Sequence, residues 1–204
     1  MKIKLGILFG GKSVEHEVSI ISALQAAASI DRTKYDVVYL YMTRENTFFS
    51  GEAAGNIENY RHGLKAVTSE CQQVLLIPAD GRVELVRYPM KKLGNNLVDT
   101  LDVIFPIVHG TNVEDGALQG YLKTLGVPFV GCDVLASALG MDKYMMKCVW
   151  KEAGLPVLPC LKTGIKDYLA GPENFLDQVE RKIGYPVIVK PVDLGSSVGV
   201  RKAG

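Results

Sequence analysis

Two lysines, two glycine-rich turns and a carboxylate near a histidine are the residues of this chain whose types and spacing suit chemistry. The stretch VIVKPVDLGSSVGV, residues 187–200, carries Lys190 out of a β-favouring run into Gly195, Ser196, Ser197 and Gly199. An ammonium within an apolar strand is costly unless an anion meets it, and the amides of such a loop can approach phosphate oxygens. The plain alternative is an ordinary hairpin with a solvated lysine. The loop is not a Walker A sequence, because G-x-x-x-x-G-K-[ST] is absent. Lys143 opens a helix in the same part of the chain, where a solvated face is again the alternative.

Nearer the N-terminus, Gly10-Gly11-Lys12-Ser13 follows an apolar run and leads into Glu15-His16-Glu17 at a helix start. The turn lacks G-x-G-x-x-G, and by itself it also fits a connection that needs positive φ. Open α/β sheets collect ligands at the carboxyl ends of their strands, and a carboxylate there suits an ammonium group. HGTNVEDGALQG, residues 109–120, is a second polar loop after a buried strand. His109 can line a pocket or be a satisfied loop histidine. Glu114 and Asp115 precede a helix beginning near Gly116, so their plain reading is capping.

The elements that must position these residues alternate along the chain. Residues 3–9 form a strand, 15–29 a helix with apolar Val18, Ile21, Leu24 and Ala28, and 37–42 a second strand, which together make a βαβ unit. Residues 74–77 and 83–86 flank Asp80-Gly81, a hairpin signal. A strand at 103–105, a helix at 116–125 and a strand at 128–130 follow. The expectation is an α/β domain over residues 1–139 with an open, mostly parallel, Rossmann-like sheet and helices on both faces. A second region, 140–204, opens with a helix ending at Gly154, then a strand at 160–163, a helix at 172–183 beginning on Pro172, and the closing hairpin.

Composition narrows the partners. Lysine plus arginine number 23 against 22 aspartate plus glutamate, so no field of one sign exists to hold nucleic acid or an acidic membrane surface. The apolar run at 5–9 meets Gly10, Gly11 and Lys12 where a secretion signal would have a cleavage site, and no run approaches the roughly 18 apolar residues of a membrane span. A cytoplasmic protein acting on small molecules is expected. Cys71, Cys132, Cys148 and Cys160 are too scattered for a CxxC motif and read as reduced packing residues.

In this order and spacing, FGGKSVEHEVS (9–19), FPIVHGTNVEDGALQG (105–120), PFVGCDVLASALGMDK (128–143) and VIVKPVDLGSSVGV (187–200) resemble the D-alanine:D-alanine ligases, which are ATP-grasp enzymes. The resemblance covers essentially the whole chain but only the front of that enzyme, so the expectation is a polypeptide that stops inside its nucleotide-binding half and does not turn over by itself. It implies ATP-dependent ligation of two D-alanines through an acyl phosphate, for peptidoglycan precursors, by a homodimer using ATP with Mg2+ or Mn2+. Residues 1–139 would be the substrate-binding domain and 140–204 the start of the ATP-grasp domain.

By the same resemblance, Glu15 holds the first D-alanine's ammonium and His109 lines that pocket. Lys143 and Lys190 bind phosphates, with Ser196 and Ser197 in the loop that covers them. Ser196 also joins Glu15 in a catalytic hydrogen-bond network with a tyrosine from a later loop. The metal ligands are expected in that later part too. Val113 departs from the glycine usual in the family and puts the turn of its loop in question. Three alternatives stay open: a ligase that joins D-alanine to D-lactate or D-serine, another ATP-grasp enzyme such as a carboxylase, and a non-catalytic binding fragment.

Overall fold

The first strand is buried on both faces, and its sequence shows how. In β1 (Ile3–Gly10), Leu5, Ile7 and Phe9 point to one side of the sheet and Leu8 to the other, as the two-residue period of a strand requires. Gly6 faces the same way as Leu8, and its missing side chain makes room for Leu101, since a Cβ there would lie 2.6 Å from the leucine Cδ1. Such a strand needs neighbours on both edges and cover on both faces.

The computed structural model describes residues 1–61 and 63–204 and divides into two compact units, Met1–Ala138 and Leu139–Gly204. In the first, β1 is followed by α1 (His16–Ala28), β2 (Tyr35–Met42), β3 (Phe48–Ser50), α2 (Lys65–Glu70), β4 (Gln72–Ala79), β5 (Arg82–Arg87), β6 (Leu97–Leu101), β7 (Val103–Ile107) and α3 (Ala117–Leu125). Two short 3-10 turns, Glu52–Gly55 and Ile57–Tyr60, lie between β3 and α2. α4 (Val134–Met141) carries the chain on to the second unit.

The seven strands run in the order β6-β5-β4-β3-β2-β1-β7. Only β1 with β2 and β1 with β7 are parallel, and the four remaining pairings are antiparallel. The expected mostly parallel sheet is therefore corrected to a mixed, largely antiparallel one. The connections explain it: residues 43–47 between β2 and β3, and Asp80-Gly81 between β4 and β5, are far too short for the crossover that parallel neighbours require. Asp80 and Gly81 both have positive φ, 47° and 77°, as a two-residue hairpin turn demands. The expected strand at 128–130 is reduced to a single bridge between Ile104 and Phe129.

Asp102 alone separates β6 from β7, so the two edges of the sheet meet at this residue. Its amide donates to the Lys4 carbonyl at 2.9 Å and its carboxylate accepts from the Lys4 amide at 2.8 Å. Lys4 also pairs with Asp99, and Arg82 with Asp102. α1 covers one face through Ile20, Ala23 and Ala27, and α3 covers the other through Leu118 and Leu122.

The second unit contains α5 (Lys143–Glu152), α6 (Ile165–Ala170), α7 (Pro172–Lys182, with proline in its first turn) and the antiparallel pair β8 (Val187–Val189) and β9 (Arg201–Ala203). The expected strand at 160–163 has no strand partner. Lys190 lies one residue beyond β8 and is exposed, as are Ile188 at 57% and Val189 at 54%. The argument that its ammonium is stranded among apolar neighbours is thereby corrected: in this unit Lys190 is solvated.

Candidate active site

At the carboxyl end of β1 the chain reverses through Gly10 and Gly11, with φ of 93° and 89°. Gly10 is obligatory, because a Cβ would lie 2.2 Å from the Met42 carbonyl oxygen. The Gly11 amide donates to that carbonyl at 2.7 Å, which presses the turn against the end of β2. α1 then begins at His16, with Glu15 at its N-cap. Further on, Ser19 Oγ accepts from the Gly10 amide at 2.8 Å and donates to the Ile107 carbonyl at 2.6 Å, so the helix is bolted to the ends of both β1 and β7.

The loop after β7 meets the same edge. Gly110 has φ of 89°, and a Cβ on it would lie 2.3 Å from Ser13 Oγ and 2.7 Å from Glu15 Oε2. The Glu15 carboxylate therefore lies directly against Gly110, next in the chain to His109. His109 Nε2 is 3.0 Å from Ser22 Oγ on α1, and Nδ1 is 3.9 Å from Glu114 Oε1. The two residues singled out in this half of the chain are brought to one edge of the sheet, between α1 and the loop after β7.

Capping describes only one of the two acidic residues before α3. Asp115 accepts from the Ala117 amide at 3.1 Å and from the Asn112 amide at 2.7 Å, at the helix start. Glu114 instead stays inside its own loop, accepting from the Gly110 amide at 2.6 Å while its other oxygen faces His109. Asn112 Nδ2 donates to the Lys12 carbonyl at 2.9 Å and laces the two loops together. Val113, fully buried, packs over Gly11, with its Cγ1 2.5 Å from where a Cβ would stand. The substitution of valine for glycine is thus absorbed by a glycine on the facing loop.

Sequence reading missed Arg44. It follows β2 by two residues and reaches back to the turn, where Nη1 donates to the Ser13 carbonyl at 2.6 Å and Nη2 to both Glu17 oxygens at 2.7 and 2.9 Å. This guanidinium holds the Glu17 carboxyl below the usual carboxylate range. The signal was available, since Arg44 lies at the carboxyl end of a parallel strand, the same rule that drew attention to Glu15 and His109.

In the second unit, Asp142 caps α5, its Oδ1 accepting from the Tyr144 and Met145 amides, each at 2.9 Å. The Met145 amide foremost holds this carboxyl below its ordinary range. Lys143 does not project as a simple solvated residue. Its amide donates to the Val192 carbonyl at 3.0 Å, and its ammonium donates to the Leu194 carbonyl at 2.6 Å and the Val192 carbonyl at 3.3 Å. The start of α5 thus grips the loop that follows β8. Within that loop Ser196 and Ser197 both have positive φ, 46° and 59°, and the Val198 amide closes the turn on the Gly195 carbonyl at 3.0 Å.

Lys143, Lys190, the two serine hydroxyls and the amides of this turn form a donor set of the kind that suits phosphate oxygens. A divalent metal is differently placed: among the described residues no group of three or more His, Cys, Asp or Glu is arranged to hold one.

Comparison with known proteins gives these loops a family. The family described as "D-ala D-ala ligase N-terminus" matches residues 4–132, and "D-ala D-ala ligase C-terminus" matches 149–204. The chain belongs to the D-alanine–D-alanine ligase family. It is 42% identical over 205 residues to the D-alanine–D-alanine ligase of Geobacillus kaustophilus, covering 99% of this chain and 53% of the relative. The ligase of Bacillus pumilus is 39% identical, with 54% of its length covered. The chain thus spans about half the length of the curated relatives it matches. The solved structure of the Coxiella burnetii D-alanine–D-alanine ligase superposes with a TM-score of 0.82 at 28% identity, over 100% of this chain and 55% of that one. A D-Ala:D-Ser ligase from Enterococcus faecalis superposes with a TM-score of 0.77 at 30% identity, over 99% of this chain and 55% of that one.

Proposed function

We propose that this chain supplies the first-substrate pocket and part of the phosphate-binding machinery of an ATP-dependent ligase that joins two D-alanines for peptidoglycan precursors. The observation that carries the reading is the Glu15 carboxylate set against Gly110, next to His109, at the carboxyl edge of a sheet whose family is that of the ligases. In this reading residues 1–139 form the substrate-binding domain and 140–204 belong to the nucleotide-binding domain. The setting is cytoplasmic and the enzyme a homodimer. No helix among the described residues is long and apolar enough to cross a membrane, which is compatible with that setting.

A carboxylate resists attack by an amine, so the chemistry needs two stages. One oxygen of the first D-alanine attacks the γ-phosphorus of ATP and ADP leaves, giving an acyl phosphate. The second D-alanine's amine, once deprotonated, attacks the acyl carbon, and the tetrahedral intermediate expels inorganic phosphate as the peptide bond forms. Magnesium or manganese, when bound, neutralises phosphate charge.

The chain's own part is positioning and electrostatics. Glu15 holds the first ammonium, His109 lines the pocket, and Lys143 and Lys190 with the Ser196-Ser197 turn meet the phosphates. Glu15 in the first unit and Ser196 in the second are the residues to which catalytic hydrogen bonding is assigned in this reading. Lys143 gives two of its three ammonium donors to the Val192 and Leu194 carbonyls, so the third can meet a phosphate oxygen without an exchange of partners.

Calorimetric titration of D-alanine and of ATP into the chain tests the reading. Glu15→Gln should abolish D-alanine binding and leave ATP binding in place. Lys190→Ala should weaken ATP by roughly 1.5–3 kcal/mol, the worth of a charge-assisted hydrogen bond, and leave D-alanine unchanged. Equal losses for both ligands would refute these roles. The likeness to a D-Ala:D-Ser ligase supports a second reading, in which D-serine is the second substrate. Phosphate release with D-alanine alone, compared with D-alanine plus D-serine, separates the two when these residues are carried in a polypeptide of the relatives' full length.

A further inference from the structure

His16 stands next to Glu15 in the chain, yet it is 1% exposed and turned away from the pocket edge into the interior. Both ring nitrogens are held: Nδ1 lies 2.7 Å from the Gly11 carbonyl oxygen and Nε2 lies 3.0 Å from the Tyr41 hydroxyl. A carbonyl oxygen only accepts, so Nδ1 carries a proton. In the neutral ring Nε2 is then a lone pair, and the Tyr41 hydroxyl must donate to it. Tyr41 is a dependable donor, because burial pushes its phenol far above the ordinary range, and its ring is fixed by Phe9 and Tyr60, with centroids 5.7 Å away in each case.

The Gly11 carbonyl that His16 grips is the hub of the turn. It also accepts the Ser13 amide at 3.0 Å, and Ser13 Oγ in turn accepts the Glu15 amide at 3.1 Å. Two short chains of donors thus converge on the Gly11 carbonyl, one from the buried Tyr41 through His16 and the other from the Glu15 amide through Ser13.

We propose that His16 is a positioning residue for the Glu15 carboxylate, acting as the Nδ1–H tautomer that the Gly11 carbonyl selects and to which Tyr41 donates. The proposal rests on reading Glu15 as the ammonium-binding group. His16 itself touches no substrate. Its work is to fix the Gly11 carbonyl, and through Ser13 the backbone from which the carboxylate projects.

Two substitutions divide the ring's functions. In His16→Asn the amide nitrogen stands near the place of Nδ1 and can still donate to Gly11. In His16→Gln the amide reaches only to the place of Nε2 and keeps Tyr41 while losing Gly11. D-Alanine affinity should stay within about threefold in His16→Asn and fall roughly tenfold or more in His16→Gln, as expected for a lost buried hydrogen bond. Denaturation midpoints of both variants separate this pattern from unfolding, because a purely structural role would make affinity follow stability.

A ligand-free readout uses nitrogen NMR of the unmodified protein. The His16 ring should carry its proton on Nδ1, Tyr41→Phe should leave it there because the Gly11 carbonyl remains, and His16→Gln should move the Ser13 and Glu15 amide resonances. A proton on Nε2, a doubly protonated ring, or a Glu15 amide unmoved by His16→Gln would overturn the proposal, as would equal affinity losses in the two variants at equal stability. Failure of the unmodified chain to bind D-alanine would instead overturn the reading of Glu15, and the tautomer and amide measurements distinguish the two failures.

Discussion

Arg44 holds Glu17 by both carboxylate oxygens, at 2.7 and 2.9 Å, from across the turn that presents Glu15. The pair has a pH signature. Glu17 titrates below its ordinary value of 4.5 because Arg44 hydrogen-bonds its ionised form. A depressed carboxyl contributes stability that is present above the unfolded value and is lost as pH falls through the lower folded value. Glu17→Gln should therefore reduce the gain in stability between acid and neutral pH. Both side chains are well exposed, so the difference should be about 0.2–1 kcal/mol, read from urea unfolding below and above pH 4.5. An unchanged pH slope would show that the pair is not formed in solution.

Asp142 should matter for the lysine that follows it. Asp142→Ala removes the cap of α5 and should cost about 1 kcal/mol of the second unit's stability, with Asp142→Asn close to neutral. Urea midpoints followed through the fluorescence of Trp150, on the same helix, check it. Equal losses in both variants would argue against a capping role.

Gly10 and Gly126 offer a controlled comparison, since both have positive φ, 93° and 71°. A Cβ at Gly126 meets nothing within 4 Å, so Gly126→Ala should cost only the left-handed penalty of about 1–2 kcal/mol. Gly10→Ala adds a collision with the Met42 carbonyl and should cost distinctly more, measured as the difference in unfolding free energy.

Gly11 and Val113 share one volume. Gly11→Ala should be severe on its own and partly relieved when Val113→Ala is added, with a coupling of roughly 0.5–3 kcal/mol in a double-mutant cycle. Strict additivity would mean that the two loops move apart instead of clashing.

Hydrogen exchange should separate the two sheets. Among the described residues β8 and β9 pair only with each other, and Ile188 and Val189 are exposed, so their amides should exchange quickly. Those of β1, bonded on both edges, should be slow. Equal protection in the two sheets would show additional partners for the hairpin.

The sequence was most legible where local pattern and tertiary fate agree. The apolar run of β1, the positive-φ pair Asp80-Gly81 and the proline that opens α7 each announce their element. The sheet's direction was not legible. β3 is three residues long, and β6 reads LVDTL without a clean alternation, so two strands that make the sheet antiparallel left little trace. The placement of Glu15 and His109 at one edge of the sheet is readable from their positions after buried strands. The burial of Lys190 does not follow from the apolar run before it, because a two-stranded hairpin buries little of either face. Arg44 could be read from its place after β2, but its partners Glu17 and Ser13, like the partners Gly11 and Tyr41 of the inward-turned His16, are defined by how loops meet, which no single stretch encodes.

The meeting of the sheet's edges at Asp102 carries a kinetic consequence. β4 and β5 close a two-residue loop, whereas Lys4 and Asp102 are ninety-eight positions apart. Loop-closure entropy sets the order in which such pairings become affordable, and local hairpins form within microseconds. The antiparallel half of the sheet can therefore assemble first, with β1 and β7 zipped together last. Since the Glu15 turn and the His109 loop hang from those two strands, the edge at which they meet comes into being only at that final step.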